Sequence, residues 1–549
     1  MGLFNQFPFT NFHEMNLDWV INEIKRIDDY LKNIPIPDDA IKNKKTPEYY
    51  GATGNGVNDD TEAFQKCSDY CRENSVPMML LPKTYYIGGS VNIYTDIQGN
   101  WATILTKHRT YPFKVYDENI EQHYKPTNMS RTGTSDPRLY GKSFTAETNF
   151  YMGQRSQYGT DFYAKQYLVC DTEGNFADEF PFYETIKECN DIHSIIAPPI
   201  KISELIFLAN SVDEPCNYID INRDNVTIEN VIIKGNCIFG ALGFNTIGNN
   251  ITFRNIVGEN PNTTIGTWGY VIELQSCNNV HLENIILPPT GGRWAATVGS
   301  FAGNVTYKNV YTYRFDIHYL SWGNNSCENC NFVGANLSGG ECNYSFTDCT
   351  FNSKNYAISG RTDLQAPISG SIYLKNCRYH NEAVLFNPHF AGSANSNDYG
   401  TVYINGLNCN ITCENMRLSV PVMYHNDEAQ NCKMFITWVN CTIVSESNAY
   451  AALNAKNTYL TVQNCVFPSG LSMLCNAHAD NSQVTIIGCR GEATIRIRNK
   501  NNIIIGNCGL TFYPDQSNVQ AIYIGNQCKL LNSGNFSSDS VNVNNISLT

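Results

Sequence analysis

No stretch of this 549-residue chain is apolar for long enough to cross a bilayer, and its first residues lack the basic segment and apolar core of an export leader. The expectation is synthesis in a cytoplasm, where cysteine thiols stay reduced, and no membrane insertion. Charge is scarce as well. Asp, Glu, Lys and Arg make up 16% of the residues, and 51 acidic against 38 basic side chains leave a net charge of −13. A nucleic-acid partner needs a basic footprint, so that class is excluded. Cys327 and Cys330 have zinc-like spacing, but no second CxxC or His pair accompanies them, and neither a metal nor a cofactor is expected. Gln6 stands where a myristoylation signal at Gly2 needs Ser or Thr. Gly51, Gly54 and Gly56 follow no buried strand and lack the third glycine of a dinucleotide loop.

Helical periodicity is missing over most of the chain, and alternation of two takes its place. A short phrase recurs: a β-type run, an Asn or near equivalent, then a small aliphatic residue or Cys. It reads Val226-Thr-Ile-Glu-Asn230-Val231, then ends at Asn255-Ile256, Asn284-Ile285 and Asn309-Val310. Further on, Cys follows the corner at Asn329-Cys330, Asp348-Cys349, Asn376-Cys377, Asn464-Cys465, Gly488-Cys489 and Asn507-Cys508. A period of roughly 20–30 residues is one coil of a solenoid, in which each turn buries its apolar face only by stacking on its neighbours. The fold expected is all-β, a right-handed parallel β-helix with Asn stacked on Asn at one corner. Most of the 21 cysteines then fall at one interior position per coil, as small buried hydrophobes rather than disulfides.

Residues 1–45 are of another kind. Leu17, Ile24 and Leu31 fall seven apart, as do Val20, Ile27 and Ile34, which makes three a/d heptads. Leu at a with Ile at d favours trimers or tetramers, and a helix this short needs a partner for its seam. Asn11 and Glu14 form a capping box, and Pro35 and Pro37 stop the helix. A homotrimer is expected; packing of the helix on its own solenoid is the alternative. Residues 46–110 hold a capping helix and the first coils. Asp59 and Asp60 look like a catalytic pair, but Asp59 with Glu62 reads as a helix N-cap ahead of Ala63, Phe64, Cys67, Tyr70 and Cys71.

Two resemblances attach to these N-terminal segments. Gly51-Ala-Thr-Gly54-Asn-Gly56-Val-Asn-Asp59-Asp60-Thr61-Glu-Ala63-Phe64-Gln65, followed by Leu80-Leu-Pro-Lys-Thr-Tyr85, closely resembles the opening of the pectate-lyase-like β-helix superfamily. In that superfamily the segment is architectural, and it occurs in lyases, glycosidases and phage tailspikes alike. The run Phe7-Pro-Phe-Thr-Asn-Phe-His13-Glu-Met-Asn-Leu17-Asp-Trp19 resembles the start of podophage adsorption appendages. It implies a virion part, bound to tail or neck proteins through residues 1–45.

Residues 111–200 break the rhythm and read as an inserted subdomain or long loops; 201–530 are coils again, and 531–549 is a patternless tail. Chemistry is expected on the strand around Arg314, Asp316 and His318. Alternation points Phe315 and Ile317 inward and these three outward, successive members about 7 Å apart. Asp316 or His318 could move a proton while Arg314 holds an anion. Arg293 and Trp294, one coil earlier, are expected to line the same place. Arg496, Arg498 and Lys500 form a second outward row suited to phosphate or carboxylate groups. With 12% aromatics and abundant Asn, Thr and Ser, the outer faces suit sugar. The functional expectation is a receptor-binding appendage on a bacterial surface polysaccharide or teichoic acid, with depolymerisation as an added possibility. A non-enzymatic adhesin and a cellular lyase or hydrolase are the alternatives.

Overall fold

In the computed structural model the chain is a right-handed parallel β-helix. The structure describes residues 42–117, 121–155, 160–179, 185–211, 216–236, 241–258, 269–287, 297–360, 368–387, 408–419, 433–444, 458–475, 483–492, 494–497, 503–506, 510–514, 522–524, 529–530, 541–543 and 547–548. The N-terminal heptads lie outside them. Two compact units are distinguished: one mainly of residues up to Ile317 together with Asn329–Phe332, the other Met152–Phe162, His318–Glu328 and everything from Val333 on.

In the first unit, strands Ile97–Thr106, Ile200–Asn210, Val226–Asn236, Ala241–Gly258, Gly269–Ile286 and Thr297–Asp316 pair in parallel, each with the next. The register explains the repeated phrase. Val226 stacks on Ile251, Val280 and Val305; Ile228 on Phe253, Leu282 and Tyr307; Val231 on Ile256, Ile285 and Val310. All of these are buried, each stabilising by roughly 1.5–3 kcal/mol. At the corner Asn230, Asn255, Asn284 and Asn309 adopt φ of 54–56°, a left-handed conformation that Asn tolerates better than most residues. Their side-chain amides hydrogen-bond between coils: Asn255 to Asn230 at 2.9 Å, Asn284 to Asn255 at 3.0 Å, Asn309 to Asn284 at 2.9 Å and Asn329 to Asn309 at 2.9 Å.

In the second unit the same construction runs through Gly340–Thr347, Ile368–Lys375, Asn408–Glu414, Lys433–Val439, Thr458–Gln463 and Gln483–Ile487. Phe346, Leu374, Cys413, Trp438, Val462 and Ile486 form one buried interior column. Cysteine follows the corner here because its thiol can serve a backbone carbonyl of the previous coil. Cys349 Sγ donates to Cys327 O at 3.4 Å, Cys377 to Phe346 O at 3.3 Å and Cys441 to Cys413 O at 3.4 Å. Every described cysteine recorded as free is buried, as the repeat requires. The tail is not patternless: Val541–Val543 pairs in parallel with Ile522–Ile524, and Ser547–Leu548 with Lys529–Leu530. Short two- and three-residue rungs without a corner phrase carry too little periodicity to be read from sequence.

The helix Thr61–Asn74 buries Ala63, Phe64, Cys67, Ser68 and Cys71, and the Phe64 ring packs against Tyr85 and Phe113. Its N-cap is Asp60 rather than Asp59, and no side-chain capping bond is made there. Asp60 instead accepts from Thr53 N at 2.7 Å and Gly54 N at 3.2 Å, while Asp59 accepts from Thr61 N at 3.0 Å and Gly88 N at 3.1 Å. Both carboxylates hold backbone, as the architectural reading of this segment requires.

The insertion is narrower than expected, because Phe113–Tyr116 is already a coil strand, paired with Ile219–Asn222. Between them lies a four-stranded antiparallel sheet in the order Glu121–Tyr124, Ile186–Ser194, Lys142–Arg155, Thr160–Val169. One face has its own core of Leu139, Phe144, Ala146, Leu168, Cys189 and Ile192. The other docks on the coils through a buried polar network. Tyr167 Oη donates to Asp224 Oδ1 at 2.8 Å, Ser143 Oγ to Asp224 Oδ2 at 2.5 Å, and His193 Nε2 meets Asn222 Oδ1 at 2.8 Å. Asn278 and Asn304 both donate to Asp178. Apolar repeat positions cannot dock a subdomain, so polar residues at the rims of the coils do it.

Candidate functional site

The outward row of the first unit's second face collects the ionisable groups. Register places Lys114, Asp220, Asn245 and Glu273 side by side on successive strands, followed by Val298. The parallel bridge between Gly299 and Ile317 puts Asp316 next in that row. Neighbouring strands lie about 4.8 Å apart, so Asp220 and Glu273, two rungs apart, have Cα atoms roughly 10 Å from each other.

Asp220 is half-buried and fully engaged: Tyr116 Oη donates to its Oδ2 at 2.5 Å, and Asn245 Nδ2 to its Oδ1 at 2.8 Å. Asn245 therefore turns its carbonyl away from Asp220. That Oδ1 is buried and has no hydrogen-bond partner. Glu273 is only 7% exposed; its Oε1 accepts from Gln275 Nε2 at 2.9 Å, while Oε2 is buried and without a partner. Burial pushes the Glu273 carboxyl above the ordinary carboxylate range, and the Gln275 bond offsets only part of this. Tyr111 is half-buried beside both acids: burial, then the charges of Asp220 and Glu273, push its phenol well up. Lys114 is the cation of the row, its Nζ 5.9 Å from the Tyr116 ring centroid.

The sequence-expected ridge is placed differently. Phe315 and Ile317 do face inward, but Asp316 is buried too, at 0% exposure, and His318 is nearly so. Asp316 Oδ2 lies 2.6 Å from Arg314 Nη2. The His318 ring stacks on Tyr319, and Tyr319 packs against Phe162 from the inserted sheet. Alternation tells in from out relative to a coil; it does not tell whether an outward side chain stays exposed. Arg496 lies on the strand Thr494–Ile497, paired with Thr511–Pro514. Arg293, Trp294, Arg498 and Lys500 lie outside the described residues. Among the described residues no three His, Cys, Asp or Glu side chains come together as a metal site, and no helix is long and apolar enough to span a membrane.

Asp220, Asn245 and Glu273 were missed by sequence reasoning, although a signal exists. Each sits ten or eleven residues before a corner asparagine, at Asn230, Asn255 and Asn284, and directly after an apolar residue, Ile219, Phe244 or Ile272. Aligning the coils on the corners brings Asp220 and Asn245 into one row and leaves Glu273 one position off, because the strand pairing shifts between it and Asn284.

No family model matches the chain, and no curated protein matches it. Solved structures do resemble it. The tailspike of Pseudomonas phage phi297 has 11% identity and a TM-score of 0.38, over 87% of this chain and 81% of that one. The tailspike of Acinetobacter baumannii bacteriophage AP22, solved with A. baumannii capsular saccharide, has 12% identity and a TM-score of 0.35, over 93% and 80%. The N-terminal fragment of bacteriophage Phi29 gene product 12 has 11% identity and a TM-score of 0.30, over 93% of this chain and 73% of that one. Likeness this distant leaves the functional argument to the residues themselves.

Proposed function

We propose that this chain is a phage receptor-binding appendage of the tailspike type, a homotrimer joined to tail or neck proteins through residues 1–45, which holds a bacterial surface glycopolymer along its coils. The observation that carries this is the outer row of the first unit, where Tyr111, Tyr116, Lys114, Asp220 and Asn245 are all half-exposed on a rigid ladder of evenly spaced strands. A periodic face matches a periodic ligand, and aromatic rings beside amide and carboxylate groups suit sugar. Light scattering of the full chain and of a chain starting near Thr46 tests the trimer; a monomer in both overturns it. Incubation with purified envelope polymers, scoring retention of protein, tests the attachment.

Depolymerisation is a second reading, favoured by the spacing of Asp220 and Glu273. Inverting glycosidases hold an acid and a base about 6.5–9.5 Å apart across a water, and two rungs come close to that range. Glu273, pushed up by burial, has the character of the acid. Release of fragments supports this reading, and retention without fragments supports the adhesin. Asp316, buried against Arg314, takes a structural place in both.

A further inference from the structure

The two buried polar atoms without partners on this row, Asn245 Oδ1 and Glu273 Oε2, stand on adjacent paired strands. Both are acceptors. Asn245 cannot flip its amide to relieve this, because its Nδ2 is committed to Asp220 Oδ1 and a carbonyl turned that way would face a carboxylate. Desolvated acceptors without donors are costly, and a ligand that brings donors to them is favoured. Phosphate and carboxylate groups bring only further acceptors. The charge of the place agrees: Asp220 faces it, and Asp191 acts on Tyr116 beside it, against Lys114.

Resting on the attachment reading, we propose that Asn245 and Glu273 form a subsite for two hydroxyl groups of an uncharged sugar, and that the polymer bound there is a neutral glycan and not a phosphate-bearing teichoic acid. The hydroxyls donate to Asn245 Oδ1 and Glu273 Oε2. Asp220, held by Tyr116 and Asn245, fixes the amide in the receiving orientation and repels polyanions. Tyr111 and Tyr116 supply apolar ring surface at the half-exposed edge.

The probes are wall polysaccharide from a bacterium to which the full-length protein adsorbs, divided by anion exchange into an uncharged and a phosphate-bearing fraction. Wild-type protein is expected on the uncharged fraction, with retention that survives ~0.5 M salt, since hydrogen bonds to neutral groups are little screened. Glu273→Gln replaces one orphaned acceptor by an amide that can donate to the other, Asn245 Oδ1, so that neither is left for a sugar hydroxyl. Binding should then fall by about tenfold, the loss of a hydrogen bond to a charged or strongly polar group, while the thermal midpoint holds or rises. Asn245→Leu, which keeps the volume and removes the acceptor, should weaken binding by a similar factor. Preferential retention on the phosphate-bearing fraction overturns the proposal. So does Glu273→Gln binding like wild type, the result expected if a protonated Glu273 merely donates a hydrogen bond to Asn245 Oδ1. Retention on neither fraction overturns the attachment reading beneath it.

Discussion

Replacing Asp316 separates a structural ion pair from a catalytic acid. Its carboxylate is fully buried, 2.6 Å from the Arg314 guanidinium, whose side chain keeps 18% of its exposure. Removing one member of a buried pair costs about 3–5 kcal/mol, because the other is left charged and unmatched. Arg314 retains some water contact, so Asp316→Ala should fall at the lower end, about 3 kcal/mol. Asp316→Asn keeps an acceptor for the guanidinium and should cost about half of that. The double change Arg314→Met with Asp316→Leu removes both charges and should recover about 1–2 kcal/mol relative to Asp316→Ala. Urea unfolding followed by circular dichroism gives the global value. Hydrogen exchange across Thr297–Asp316 gives the local one, which matters because solenoid coils can open separately. Asp316→Asn with wild-type stability and no fragment release, on a polymer the wild type cuts, would refute this and make Asp316 part of the chemistry.

Asn284 sits at φ 55° between two inter-coil amide bonds, so Asn284→Ala should destabilise by about 2–3 kcal/mol, and Asn284→Gly, free of the left-handed strain, by about 1 kcal/mol less; equal unfolding midpoints would sink the corner argument. Glu273 has a folded pKa raised above its ordinary 4.5, so its contribution to stability is present below pH 4.5 and is lost as pH rises through the raised value. Glu273→Gln should remove that part of the pH slope in unfolding titrations, and an unchanged slope would mean the carboxyl is not held neutral. Cys349, Cys377, Cys465 and Cys489 are buried and should resist thiol reagents until the protein is denatured; rapid native labelling would show a wrong register.

The coils were legible because one coil repeats one constraint. Val226, Ile251, Val280 and Val305 occupy the same interior column, and the asparagine four residues after each marks the turn. The site was less legible. Strand alternation points Asp316 outward, yet its side chain is fully buried, and burial is a tertiary fact that a period of two does not encode. Asp220, Asn245 and Glu273 lie far apart in the chain and become neighbours only through register. The extra residue between Glu273 and Asn284, where the strand pairing shifts, hid even that alignment.

The corner asparagines have a direction. Asn255, Asn284, Asn309 and Asn329 each give an amide proton to the coil before and receive one from the coil after where a partner follows, so their dipoles point the same way along the axis. Aligned bonds polarise one another, which makes the row a vector with a head and a tail rather than a stack of equal contacts. Only a group that both gives and receives can carry such a vector onward. A carboxylate can only receive, and Asp348, which accepts from Asn376 at 3.0 Å, is therefore a place where a run of donation ends. Moving an aspartate to position 284 would cut the vector in the middle, setting a carboxylate oxygen against Asn255 Oδ1.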